Sequence, residues 1–207
     1  MKKIKVIVYA ILAGLCIDIG GAVYLTVENK VIGACLFTLG LFTICTFGFN
    51  LYTGKVCYIF ERDRGYLGDV GLIWLGNFVG TWLGAQALNL TRNGAALAEK
   101  AAAISAVKLG DGLLSIFILA IFCNIMIFIG VDGFNKNPHE PGKYLAMFLP
   151  IMVFILCGFE HCIANMFYFS MAGAWSLHAL EYLVVMTLGN AVGGVLIPLC
   201  RKAFAHI

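Results

Sequence analysis

Charge is scarce in this chain. Only 12% of its 207 residues are Asp, Glu, Lys or Arg, against 61% that are hydrophobic, and mean hydropathy is +0.93. A water-soluble domain of this length cannot cover its surface with so few charged groups, so the composition is that of an integral membrane protein. The cations form no basic block, and a net charge of +3 spread over loops excludes a nucleic-acid surface. Eight cysteines all fall in apolar runs and no pair has C-x-x-C spacing, so they read as small packing residues; no metal site is expected. Of His139, His161, His178 and His206, only His161 lies deep in an apolar run. That leaves no second axial histidine for the haem of a membrane redox enzyme, and no cofactor is expected.

What is present is a series of six apolar stretches, each close to the ~20 residues that a bilayer core requires. They run at about 6–26, 31–60, 66–88, 109–130, 144–172 and 182–200. The first follows Lys2, Lys3 and Lys5 and lacks a small-residue cleavage site, so it reads as a retained span rather than a signal peptide. The second is interrupted by Asn50-Leu51-Tyr52-Thr53-Gly54-Lys55, which predicts a broken helix. In the third, Gly76, Gly80 and Gly84 recur at four-residue intervals, and Gly189 and Gly193 do so in the sixth; such stripes let helix backbones approach closely. Residues 89–108, polar and then alanine-rich, predict a surface helix, and 131–143 a loop.

The most informative stretch is Cys157-Gly158-Phe159-Glu160-His161-Cys162-Ile163-Ala164-Asn165-Met166. A carboxylate, an imidazole and a carboxamide stand within six positions in the middle of the fifth span. At bilayer depth such groups are expensive, on the order of a few kcal/mol each, and face a cavity or one another. Gly158 just before them is where a helix can break and expose backbone to a water-lined site. An uninterrupted helix with a polar inward face is the alternative. Asn124, mid-way along the fourth span, is a further polar group at depth.

The two halves of the chain match in register. Cys16 corresponds to Cys123, Gly48-Phe49-Asn50 to Gly158-Phe159-Glu160, and Leu75-Gly76-Asn77-Phe78-Val79-Gly80 to Leu188-Gly189-Asn190-Ala191-Val192-Gly193. Three spans per half is an odd number, so the second half enters the membrane upside down. Inverted repeats with interrupted helices at equivalent positions are a transport architecture, with the site near the midplane between the breaks. Half-helix N-termini there favour an anion. The expected fold is thus an all-α membrane protein of six transmembrane helices, two inverted repeats at about 6–88 and 109–200, forming one channel domain over 1–207. With both termini cytoplasmic, nine Lys and Arg residues fall inside and four (Lys30, Arg92, Lys100 and Lys108) outside, as the positive-inside bias requires. An aquaporin-like water or glycerol channel also uses inverted half-helices, but none of the four prolines supplies its Asn-Pro-Ala triplet.

The Gly158–Met166 motif and Asn50-Leu51-Tyr52-Thr53 resemble the two motifs of the formate–nitrite transporter family, over nearly the whole chain. Cys162 stands where that family more often has serine, and Asn50 where it has an acidic residue. The resemblance implies a cell-membrane pentamer of protomers, each with its own pore for small monovalent anions: formate, nitrite, hydrosulfide or, in some members, lactate. It makes His161 the central pore residue and Thr53 its partner on the facing break, with Glu160, Asn165 and Asn124 beside them. Lys108, sixteen residues before Asn124, becomes a solvated vestibule lysine. Phe37, Leu41 and Phe154 become apolar constrictions, with Leu51 and Tyr52 at the outer one. The short ends leave no room for the N-terminal helix proposed to gate some relatives. Passage as the neutral acid, with a proton joining the anion near the constrictions, is the expected mechanism. Asp18 and Lys55 stand where the family pattern has uncharged groups, and they are expected to form a structural ion pair between the first two spans, with Glu160 the competing partner for Lys55.

Overall fold

A computed structural model of the chain describes residues 2–205; His206 lies outside them. Among the described residues all regular structure is helical: α1 (Lys2–Thr26), α2 (Lys30–Phe47), a short α3 (Tyr52–Lys55) running on as a 3-10 turn (Val56–Tyr58), α4 (Gly65–Asn89), α5 (Gly94–Leu109), α6 (Leu113–Lys136), α7 (Glu140–Leu156), α8 (Cys162–Met171) and α9 (Leu177–Ala203). Helices α1, α2, α6 and α9 are each long and apolar enough to cross a bilayer alone. Helix α4 has 25 residues but is diluted by glycine, and α7 and α8, of 17 and 10 residues, follow one another across an interruption.

The polarity of the bundle is that of a protein in lipid. Leu36 and Leu39 on α2, Leu114 and Phe122 on α6, and Leu188 and Val192 on α9 point outward, 44–73% exposed, whereas Thr38, Thr53, Asn77, Thr81, Asn124 and Asn190 are fully enclosed. Apolar groups outside and hydrogen-bonded polar groups inside are what the hydrocarbon solvent demands. The chain is an integral membrane protein.

Two seams organise the bundle, α1 against α4 and α6 against α9. Both are closed by glycine. A Cβ added at Gly80 would lie 2.2 Å from the Ile11 carbonyl oxygen, and one at Gly193 would lie 2.0 Å from that of Ile121. Gly76 and Gly189 abut Ala10 and Ala120 in the same way. The Gly76–Gly189 and Gly80–Gly193 matches read from the sequence hold, but they meet Ala10 with Ala120 and Ile11 with Ile121, a register in which Cys16 and Cys123 are not counterparts.

Several boundaries differ from the sequence reading. The second span breaks at Gly48–Leu51, and Tyr52, Thr53, Gly54 and Lys55 are already helical. The polar run looked like the interruption, but the left-handed Gly48 is what ends α2. The expected 131–143 loop shrinks to Asn137–His139, because Pro141 sits in the first turn of α7, where its missing N–H costs nothing. Helix α5 is also no plain surface helix. Leu97, Ala101 and Ser105, at four-residue spacing, bury one face and bring Lys108 to the centre of the protein.

Gly80→Ala should therefore force the α1–α4 seam apart, at a cost on the order of 1–3 kcal/mol, and lower the unfolding temperature in detergent. Gly68, on the same helix with nothing within 4 Å of an added Cβ, is the control, and Gly68→Ala should not lower it. Equal unfolding temperatures for the two variants would contradict the close-packed seam.

Candidate functional site

The site is built from two interruptions with matching hydrogen bonds. At the first, Gly48 adopts φ 68° and the Phe49 N–H donates back to Ile44 O (2.9 Å), a Schellman ending that needs glycine. The Asn50 N–H donates to Tyr9 O (3.2 Å). The Asn77 side chain then accepts from the Tyr52 N–H (2.8 Å) and donates to the Asn50 and Ala10 carbonyls (2.9 and 2.8 Å). At the second, Gly158 has φ 68°, the Phe159 N–H donates to Phe154 O (2.9 Å), and the Glu160 N–H to Leu119 O (3.3 Å). The Asn190 side chain accepts from the Cys162 N–H (2.9 Å) and donates to the Glu160 and Ala120 carbonyls (2.8 Å each). Asn77 and Asn190 are residues whose part the sequence reading missed. The available signal was an asparagine at the same place in both glycine motifs.

The clamps bring Thr53 and His161 together, Oγ1 to Nε2 at 2.9 Å, both buried. The hydrogen bonding of His161 assigns its tautomer. Its Nδ1 accepts from the Ala164 N–H (3.1 Å) as the N-cap of α8, and a backbone N–H can only donate. The ring is therefore neutral here, with its proton on Nε2 and directed at the Thr53 hydroxyl oxygen. Asn124 holds the other side of Thr53, donating from Nδ2 to its carbonyl oxygen (3.1 Å), and the Cys57 thiol donates to the same carbonyl (3.2 Å).

On one side of this pair lies a cavity of about 240 Å³, whose lining includes Tyr24, Phe37, Lys108, Phe154, His161 and Tyr168. Phe37 meets Phe154 edge-on (6.1 Å between centroids), and Phe154 stacks on the His161 ring (5.7 Å). Lys108 is not the solvated charge that the sequence suggested. Its ammonium is 2.7 Å from Glu160 Oε2, with side chains 14% and 4% exposed, and Asn165 Nδ2 donates to the same oxygen at 2.6 Å. Residues 52 apart in sequence thus form a buried, hydrogen-bonded ion pair beside His161.

On the other side lies a cavity of about 390 Å³, lined by Leu41, Leu51, Gly54, Lys55, Arg62 and Tyr66 among others. Leu51 shares this cavity with Leu41 and Lys55, whereas Phe37 and Phe154 line the Lys108 cavity. Tyr52 lines neither cavity; its hydroxyl donates to Thr187 O on α9 (3.1 Å). Alternation along the extended Leu51 and the start of α3 sends these neighbours in different directions.

The expected Asp18–Lys55 pair is absent. Neither Asp18 carboxyl oxygen has a hydrogen-bond partner among the described residues, and the group packs against Gly84 on α4. Lys55 faces the 390 Å³ cavity, and its alternative partner Glu160 is taken by Lys108. The first two spans do pack side by side, but Asp18 faces the α4 seam of α1 rather than α3.

Solved structures share this helical fold. A pentameric formate channel with formate bound superposes with a TM-score of 0.82 at 24% identity, covering 99% of this chain and 98% of that one. An FNT family ion channel gives 0.83 at 21%, covering 97% and 90%. In sequence, the chain is 28% identical to the formate channel FocA of Haemophilus influenzae, over 89% of this chain and 80% of that protein. It is 27% identical both to the formate channel FocB of Escherichia coli K12 (98% and 87% covered) and to a probable formate transporter of Methanothermobacter thermautotrophicus (98% and 89%). The formate/nitrite transporter family profile matches residues 1–203. The chain belongs to the formate/nitrite transporter family, a family of channels and transporters rather than enzymes.

The Lys108–Glu160 pair makes a double-mutant test. Lys108→Met or Glu160→Gln alone leaves one buried partner uncompensated, which costs on the order of 3–5 kcal/mol. The double variant should be more stable than the worse single one, measured by thermal unfolding in detergent. Additive losses would show that the two groups do not depend on each other.

Proposed function

We propose that the chain is one protomer of a channel for small monovalent anions of weak acids, formate or nitrite foremost and hydrosulfide as the alternative. The observation that carries the reading is the 2.9 Å contact between Thr53 and His161, which joins the two interruptions between two separate cavities. In this reading the halves are inverted repeats of three spans each, α7 and α8 together making the fifth span, and the whole chain is one channel domain. The termini and the Lys55 cavity face the cytoplasm, as the cation distribution favours, and the Lys108 cavity faces out of the cell membrane. Assembly as a pentamer is proposed by likeness to the solved formate channel.

The mechanism follows from the cost of desolvation. A bare anion crossing between Phe37 and Phe154 loses several kcal/mol of hydration. Formate, nitrite and hydrosulfide can each take a proton and cross as the neutral acid. Lys108 offers the anion its remaining ammonium donors in the vestibule, while Glu160, itself held by Asn165, keeps that ammonium in place. His161 does not give up the proton. Neutral, with Nε2–H committed to Thr53, it would have to become imidazolate, and protonating Nδ1 would orphan the Ala164 N–H, at about 1–3 kcal/mol. The proton comes from solvent in the vestibule. His161 instead polarises the Thr53 hydroxyl, whose own hydrogen is directed at the solute. Leu41 and Leu51 form the second apolar passage, on the Lys55 side.

Proteoliposome uptake compared across formate, nitrite, hydrosulfide and lactate tests the reading. Formate or nitrite should enter with internal acidification, read by a trapped pH dye. His161→Asn keeps an N-cap acceptor but withdraws the Nε2 donor, and should slow flux roughly tenfold, about 1.4 kcal/mol, with the oligomer intact. Flux loss in Lys108→Met should change little with salt, because a buried pair is screened far less than an exposed charge. Uptake at the wild-type rate in His161→Asn, or anion entry without acidification, would overturn the mechanism.

A further inference from the structure

Lys55 is a cavity-lining cation with no ion-pair partner among the described residues. We propose that it is the centre of a second anion-binding site, on the opposite side of Thr53 and His161 from Lys108, which takes small monovalent anions from the Lys55 mouth. The inference rests on the channel reading and adds to it a site with its own residue and its own side of entry.

Four observations carry it. First, Lys55 lines the 390 Å³ cavity together with Leu41 and Leu51, two residues beyond Thr53, so its ammonium belongs to the approach to the centre and not to the outer surface. Second, its backbone is held firmly. The Lys55 N–H donates to Leu51 O (2.9 Å), and Lys55 O accepts from the Tyr66 hydroxyl (3.0 Å). Third, the charge has no anionic partner: among the described residues no carboxylate oxygen lies within 4 Å of it. Fourth, the cavity is cationic overall. Arg62 lies on the same wall against the single acid Glu61, while Lys136 is already bound by Asp132 at 2.6 Å, which Arg201 also holds at 2.6 Å.

A half-buried ammonium without a partner is unfavourable in an apolar wall, and an anion entering the cavity relieves it. The leucines flanking Lys55 give such an anion a charged contact on the mouth side and an apolar barrier ahead. A weak-acid anion held there is in position to take up a solvent proton before crossing Leu41 and Leu51. The site therefore governs capture from its own mouth and leaves capture at the Lys108 mouth untouched.

The test uses the full chain in vesicles of defined orientation, with initial formate flux measured against concentration from each face. Lys55→Gln should raise the half-saturating formate concentration roughly tenfold for entry at the Lys55 face, the equivalent of about 1.4 kcal/mol, and leave the Lys108 face unchanged. Lys55→Arg should restore it. Should Lys55→Gln fail to assemble, Lys55→Met supplies a neutral side chain with the same apolar stem. A second readout needs no transport: line broadening of ¹³C-labelled formate by the purified protein in detergent, which the neutral variants should reduce. Unchanged half-saturation at the Lys55 face, or an equal rise at both faces, overturns the site. If the wild type carries no weak-acid anion, the channel reading fails by itself, and loss or retention of the Lys55-dependent broadening still decides the site.

Discussion

An interrupted helix inside a bilayer leaves peptide groups without partners where there is no water to serve them, and each unserved group costs several kcal/mol. This chain interrupts two helices, and Asn77 and Asn190 answer the problem both times. Each side chain accepts the first N–H of the resuming helix and donates to two carbonyls, one in its own break and one on the neighbouring long helix. A carboxamide is the side chain that can accept and donate twice at once in a fixed plane. The glycine seams serve the same end. Only with α4 drawn close to α1, and α9 to α6, do the asparagines reach both the break and the facing backbone.

The central chemistry follows from that arrangement. Thr53 stands in the first turn of one resuming helix and His161 caps the other, so the two clamps place a hydroxyl against an imidazole with no further device. Around the pair, polar groups are committed to one another: Asn124 to Thr53, Asn165 and Lys108 to Glu160. On the proposed path a charge, an apolar wall, the neutral Thr53–His161 pair, a second apolar wall and a second charge follow one another: Lys108, Phe37 with Phe154, the pair itself, Leu41 with Leu51, and Lys55. Such alternation suits a solute that sheds its charge at the walls and regains it beyond them.

Much of this was legible in the sequence because it depends on local chemistry and on spacing. Gly48 and Gly158 have matching left-handed backbones, and the glycine stripes keep a constant register, so the existence of two interruptions could be read. What escaped depends on direction, which spacing does not carry. The run Asn50–Lys55 looks polar enough to be the gap, yet only Gly48 needs a left-handed backbone, and the helix resumes at Tyr52. Asp18 and Lys55 lie on adjacent spans but on faces that do not meet, and Glu160, in the interruption before α8, was already claimed by a lysine from α5. Helix α5 could be read as a surface helix because its buried face consists of single residues such as Leu97, Ala101 and Ser105 in an alanine-rich run.

The central claim is that solute passes the point where Thr53 meets His161. Thr53→Cys puts a thiol there, and a small thiol reagent applied from either face reads its accessibility during flux. The account predicts that, in a Cys45→Ala background that clears the cysteine lining the 390 Å³ cavity, flux through Thr53→Cys falls on treatment from both faces, that formate slows the modification, and that Cys45→Ala alone keeps its flux. A Thr53→Cys protein that conducts normally and stays insensitive to the reagent from both faces would contradict it.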